Sequence, residues 1–169
     1  GADPDRQSPF DVQVGNDGLF GFRMVIVGAN GIVSNRPSSG DEADAWIHVD
    51  TSVPTAKITR AVYGEGPEEG MLVINYECGD EALVDRPITL FYSERMGGPW
   101  RMIATGLENT GSYTWRPGAN IPQQIYLRVT AVDKAGNVGE HQLDAAINTR
   151  GLAPRGRIQG FRPILGPPR

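Results

Sequence analysis

Nine acidic side chains fall in three short clusters: Asp41, Glu42 and Asp44; Glu65, Glu68 and Glu69; Asp80, Glu81 and Asp85. Calcium takes about six to eight oxygen ligands in flexible geometry, and loops between strands can supply them. No D-x-[DN]-x-[DN]-G loop is present, however. The plainer reading is acidic loops that face water and keep the chain soluble. No cofactor is therefore expected, and calcium is the alternative.

Covalent and acid–base chemistry finds still less. There is no G-x-S-x-G elbow, and His48 and His141 stand near no recognisable Ser or Cys motif. Cys78 is the only cysteine, so neither an intrachain disulfide nor a cysteine-based metal cluster can form. It follows Tyr76 in strand phase and reads as a small core residue. A carboxylate pair for glycoside hydrolysis is not visible in spacing alone. No set of residues converges on a mechanism, so an enzyme is not expected.

The aromatics offer a different chemistry. Trp46, Trp100, Trp115, Tyr92 and Tyr113 would suit a sugar-stacking platform. Tyr113 and Trp115 share one strand phase, which favours the core. Trp46 lies on the phase opposite Ile47 and Val49 and is the best exposed ligand-contact candidate. Asp80 and Arg86 bracket a short loop and are expected to form a bidentate pair that fixes it.

These residues need strands to hold them. Gly and Pro number 22 and 13 of 169 residues, as in a turn-rich all-β protein. Phe10, Val12 and Val14 alternate, Asn16–Asp17–Gly18 is a hairpin signal, and Phe20, Phe22, Met24 and Ile26 alternate again. Ala45, Ile47 and Val49 give a third strand. A second set begins near Thr55: Ile58 to Tyr63, Leu72 to Cys78, Ile88 to Ser93, Trp100 with Met102, Tyr113 with Trp115, Ile125 to Ala131, and Leu143, Ala145 and Ile147 to close. Residues 79–87 read as a connection. No segment shows a 3.6 period, so any helix is expected to be a single turn. The organisation is thus a loose segment 1–8, a partial β unit 9–52, a complete unit 53–150 and a tail 151–169. Ile158, Phe161, Ile164 and Leu165 of the tail are expected to pack on the first unit.

Net charge is −4, but the five basic residues from Arg150 onward face no acids there. The remainder carries 11 basic and 20 acidic residues, a net of −9. An acidic body argues against nucleic acid as the main partner. No apolar run approaches the roughly 18–20 residues of a membrane span.

The stretch DEALVDRPITLFYSERMGGPW, followed by GLENTGSYTWRPG and IYLRVTAVDKAGNVG, resembles immunoglobulin-like or fibronectin type III-like modules of bacterial secreted and cell-surface proteins. The similarity is strong over about 60 residues, 79–139, and looser over the rest of 55–149. It implies an antiparallel immunoglobulin-like β-sandwich, preceded by the closing strands of another such module. It also implies a non-catalytic spacer or interaction module of a larger envelope or secreted protein, outside the cytoplasm. The expected partners are other domains of that parent, with protein or polysaccharide beyond them. The alternatives are a carbohydrate-binding module using exposed aromatics, or an accessory domain of a secreted enzyme. Two departures stand out: Cys78 lacks the disulfide partner of an antibody-type domain, and Tyr126 is one residue out of phase with the tyrosine of a fibronectin-type strand.

Overall fold

A computed structural model describes residues 11–25, 28 and 38–152. The chain divides between Ser52 and Val53 into two compact units, each taken by itself below. Both are built of antiparallel strands, and the only helices among the described residues are two single 3₁₀ turns, as the missing 3.6 period implies.

In the first unit, β1 (Gly18–Phe22) pairs with β2 (Ala45–Val49), Phe20 opposite Ile47 and Gly21 opposite Trp46. Its ends are tied by carboxylates. Asp17 accepts from the Thr51 backbone N–H (3.1 Å) and hydroxyl (2.9 Å), and Asp44 accepts from Met24 N–H (2.8 Å). The Asn16–Gly18 turn signal is not a hairpin. Asp17 uses its carboxylate to hold Thr51, just beyond β2, and Gly18 starts a strand instead of turning one. Residues 11–14 carry no strand, and Met24 lies beyond the end of β1. Phe10 and Ile26 lie outside the described residues.

The second unit has two sheets. In one, β4 (Leu72–Gly79) runs between β3 (Thr55–Tyr63) and β7 (Ser112–Trp115). In the other, β5 (Leu83–Ser93) runs between β6 (Arg101–Leu107) and β8 (Gln124–Asp133). The far edge of β8 is covered in succession by β10 (Ile147–Asn148) and β9 (Val138–Gln142). Ile58, Leu72, Ile74 and Tyr76 of the first sheet meet Ile88, Leu90, Ile125, Leu127, Val129 and Ala131 of the second in one core. The arrangement is sandwich-like, with period-2 alternation delivering each of these side chains inward.

Three sequence expectations change here. Residues 79–87 are not all connection, because β5 already begins at Leu83, paired with Asp133. Its register is irregular between Leu83 and Ile88, where buried Pro87 lacks the N–H that a ladder needs. Of the expected closing residues Leu143, Ala145 and Ile147, only Ile147 lies in a strand, the short β10, and β9 precedes it with a VGEHQ sequence that lacks apolar alternation. Leu143 instead continues the contact by donating its N–H to Leu127 O (3.0 Å). Lastly, Gly151 and Leu152 pack on the second unit: the Arg150–Leu152 turn buries Leu152 in its core. Ile158, Phe161, Ile164 and Leu165 lie outside the described residues.

One edge of the sandwich is closed by backbone contact. A Cβ on Gly139 of β9 would sit 1.8 Å from Pro54 O, so only glycine lets the chain entering β3 approach so closely. Beside it, β3 slips its register between Ile58 and Arg60 against β4. The buried Ile58 N–H is satisfied by His141 Nδ1 of β9, at 3.2 Å. His141 pairs with the core-facing Val129 and thus points between the sheets. Replacing His141 by Leu, which keeps bulk but accepts no hydrogen bond, should destabilise the unit by about 1–3 kcal/mol in urea unfolding. His141→Asn, which keeps an acceptor, should be distinctly milder. Equal losses in the two variants would mean that the bond is not what matters.

Candidate functional site

The face of the five-stranded sheet that points away from the core carries an ordered cross-strand row. Met102 of β6 pairs with Phe91 of β5, Phe91 with Arg128 of β8, and Arg128 with Gln142 of β9. The Arg128 guanidinium lies between two rings, its carbon 4.7 Å from the Phe91 centroid and 4.7 Å from that of Trp100. Its Nη1 reaches Glu140 at 3.5 Å. Its buried Nε has no hydrogen-bond partner among the described residues. An arginine stacked this way keeps its charge while its stem and faces cover apolar surface. Met102, 57% exposed, extends the row toward water. Tryptophan, phenylalanine, methionine and arginine are the residues enriched in protein interfaces.

The turn after β8 is the second ordered feature. Asp133 is buried, and its carboxylate accepts from Asn137 N–H (2.8 Å) and Asn137 Nδ2 (2.8 Å). Lys134 N–H donates to Ala82 O (2.8 Å), joining this turn to the loop before β5. Burial alone would raise the Asp133 carboxyl, but N–H groups of Asn137, Gly136 and Ala135 outweigh it and hold it below the ordinary carboxylate value.

Each of the three acidic clusters has at least one member in an internal contact. Asp41 pairs with Arg23 (2.8 Å), Asp44 holds Met24, and Glu68 accepts from the Thr114 hydroxyl (3.0 Å). Asp80 and Asp133, brought within 4.8 Å, are closer than sequence spacing suggests. Asp80 and Arg86 do not form the expected pair. Asp80 accepts from Ala82 N–H two residues on (2.7 Å), as a short Asp side chain readily does. Arg86 lies on β5, where it reaches Glu108 at 4.0 Å in a well exposed contact.

The aromatics do not form one platform. Tyr92 and Trp115 stack at 5.2 Å against the core, and Tyr113 is packed there too. Trp100 is taken up by Arg128. Trp46 is 60% exposed on β2, its indole over Gly21, where a Cβ would lie 3.1 Å from the ring. His48 sits exposed opposite Leu19. Burial pushes the Cys78 thiol up, which disfavours the reactive thiolate. Sequence reasoning overlooked Arg128. Its signal was an arginine in the outer phase of an otherwise apolar strand, with an aromatic in the outer phase of the preceding core strand.

No known protein-family model matches the chain, and no curated protein matches it either.

Two measurements follow. The stability gap between the protein and Asp133→Asn should be steady from neutral pH down to about 5 and should narrow below about 4. The sign follows from the lowered carboxyl: its contribution is present above the ordinary carboxylate value and is lost as pH falls through the folded one. A gap that widened in acid would refute this. In a double-mutant cycle, Trp100→Ala and Arg128→Gln should show coupling of about 0.5–2 kcal/mol; additive losses would show that the stack contributes nothing beyond its separate parts.

Proposed function

We propose that the chain is a non-catalytic structural and interaction module of a larger bacterial envelope or secreted protein, working outside the cytoplasm. The observation that carries this reading is the Met102–Phe91–Arg128 row with Trp100, displayed on the outer face of a sheet whose other face is fully committed to the core. A sheet so anchored offers a partner a flat, preorganised surface whose central arginine already has its rings around it. The strand order, three strands facing β6-β5-β8 with β9, supports the resemblance to immunoglobulin-like and fibronectin type III-like modules. Fold alone does not assign function, so the reading rests on the face. Its partners would be neighbouring domains of the parent protein. The acidic body disfavours nucleic acid, and no helix among the described residues is long and apolar enough to cross a membrane.

A carbohydrate-binding role has one observation in its favour, the exposure of Trp46. Sugar rings stack on such indoles, and a glycan array with Trp46→Ala as control separates that reading from the first.

Hydrogen exchange on the isolated chain and on the full parent protein tests the main proposal. Amides of β5, β6 and β8 around Phe91, Met102 and Arg128 should gain protection in the parent, and Arg128→Gln should remove that gain. Identical protection in both settings would overturn it.

A further inference from the structure

Where β5 ends, the turn from Glu94 to Pro99 and the first residue of β6 enclose a half-open cavity of about 280 Å³, lined by Glu94, Arg95, Pro99 and Arg101. The frame of this cavity is fixed. Arg95 N–H donates to the Oγ of buried Ser93 (3.1 Å), and Gly98 N–H donates to Arg95 O (3.1 Å). Arg101 pairs in register with Tyr92, and the nearby Tyr92 hydroxyl, followed by the charge of Glu94, favours its charged form. The Arg101–Glu94 contact is loose, 3.9 Å between well exposed groups, and contributes little. The Arg95 guanidinium has no partner among the described residues.

Two guanidinium groups and one carboxylate leave the cavity with one uncompensated positive charge. Guanidinium groups bind a carboxylate in a planar, two-pronged manner. Pro99 contributes an apolar wall. Glu94 accepts hydrogen bonds, so a ligand that places donors beside the negative group held by the arginines fits best. A hexuronic acid residue meets all of these requirements: one carboxylate, neighbouring hydroxyl donors and an apolar ring face. The volume, about 280 Å³, lies just below the range of drug-sized ligand clefts, about 300 to 1,000 Å³, and suits one ring. An acidic peptide presents carboxylates without adjacent hydroxyls and so offers Glu94 no donor beside the bound anion.

We propose that this cavity binds a uronic acid residue of an acidic polysaccharide. The cavity is lined by none of the residues of the Phe91–Arg128 row, so its failure would leave the interaction reading standing. The acidic body repels a polyanion at long range. The effect is screened beyond about 8 Å at physiological salt, which is the condition for the assay.

The test is NMR titration of the full chain with trigalacturonate, reading the Nε–H signals of Arg95 and Arg101. Cellotriose, hexaglutamate and sulfate serve as comparison ligands. Trigalacturonate should shift both signals, and Arg95→Gln and Arg101→Gln should each weaken binding about tenfold, the loss of one charge-assisted contact. Cellotriose should not bind, and sulfate and hexaglutamate should bind more weakly than trigalacturonate. Glu94→Gln should narrow the gap between hexaglutamate and trigalacturonate. Both side chains are exposed, so an unchanged melting temperature confirms that the variants are folded. The proposal fails if neither signal moves at millimolar trigalacturonate. It also fails if the arginine variants bind as well as the parent, or if sulfate or hexaglutamate binds equally.

Discussion

The inward phase of β8 is the constraint on which the second unit depends. Ile125, Leu127, Val129 and Ala131 are buried one after another, and the same strand hydrogen-bonds β5 on one edge and β9 with β10 on the other. A strand held on both edges and covered on one face has no freedom of register, since a one-residue slip would turn its whole apolar set outward. Its outer phase is therefore fixed as well. Arg128 stands opposite Phe91 because Leu127 and Val129 are locked on the other side. The surface chemistry of this module is a by-product of its core.

The same logic explains what the sequence made legible. Alternation was strong in Leu72–Cys78, Ile88–Ser93 and Ile125–Ala131, and these became the central strands. The Asp133–Asn137 turn was legible too, because a short carboxylate followed by Gly and Asn closes on its own backbone. The strand β9 was hidden since VGEHQ has no apolar period: its glycine is dictated by the approach of Pro54 and its histidine by the orphan Ile58 N–H. Both requirements come from β3, some 80 residues away in the chain. The alternation of residues 10–14 misled for the converse reason. A local pattern does not make a strand unless a partner edge is available, and β1 takes its partner from β2.

Site chemistry was less legible than fold. A count of aromatics suggested one platform, yet three were drawn inward and Trp100 was matched with an arginine. Spacing brought Asp80 and Arg86 within reach of each other, but Asp80 found a nearer donor in its own turn and the extension of β5 placed Arg86 on a strand. Pairings of polar side chains are decided by the nearest backbone donor and by strand phase, and neither is expressed in sequence distance. The Phe91–Arg128–Trp100 stack, conversely, joins three segments that only the β5–β8 and β5–β6 registers bring together.

The irregularities in β3 and β6 and the break between β9 and β10 acquire a common meaning when the unit is viewed from its rims. Each of the sandwich's outermost strands is interrupted: β3 slips at Ile58–Arg60, β6 shifts register against β5, β7 has only four residues, and β9 is separated from β10. A long, flat rim would be a template onto which another chain could add strand after strand. Among the described residues, these interruptions and the shortness of β7 break the regularity of each rim. Irregular rims of this kind disfavour edge-to-edge aggregation of crowded copies of the module.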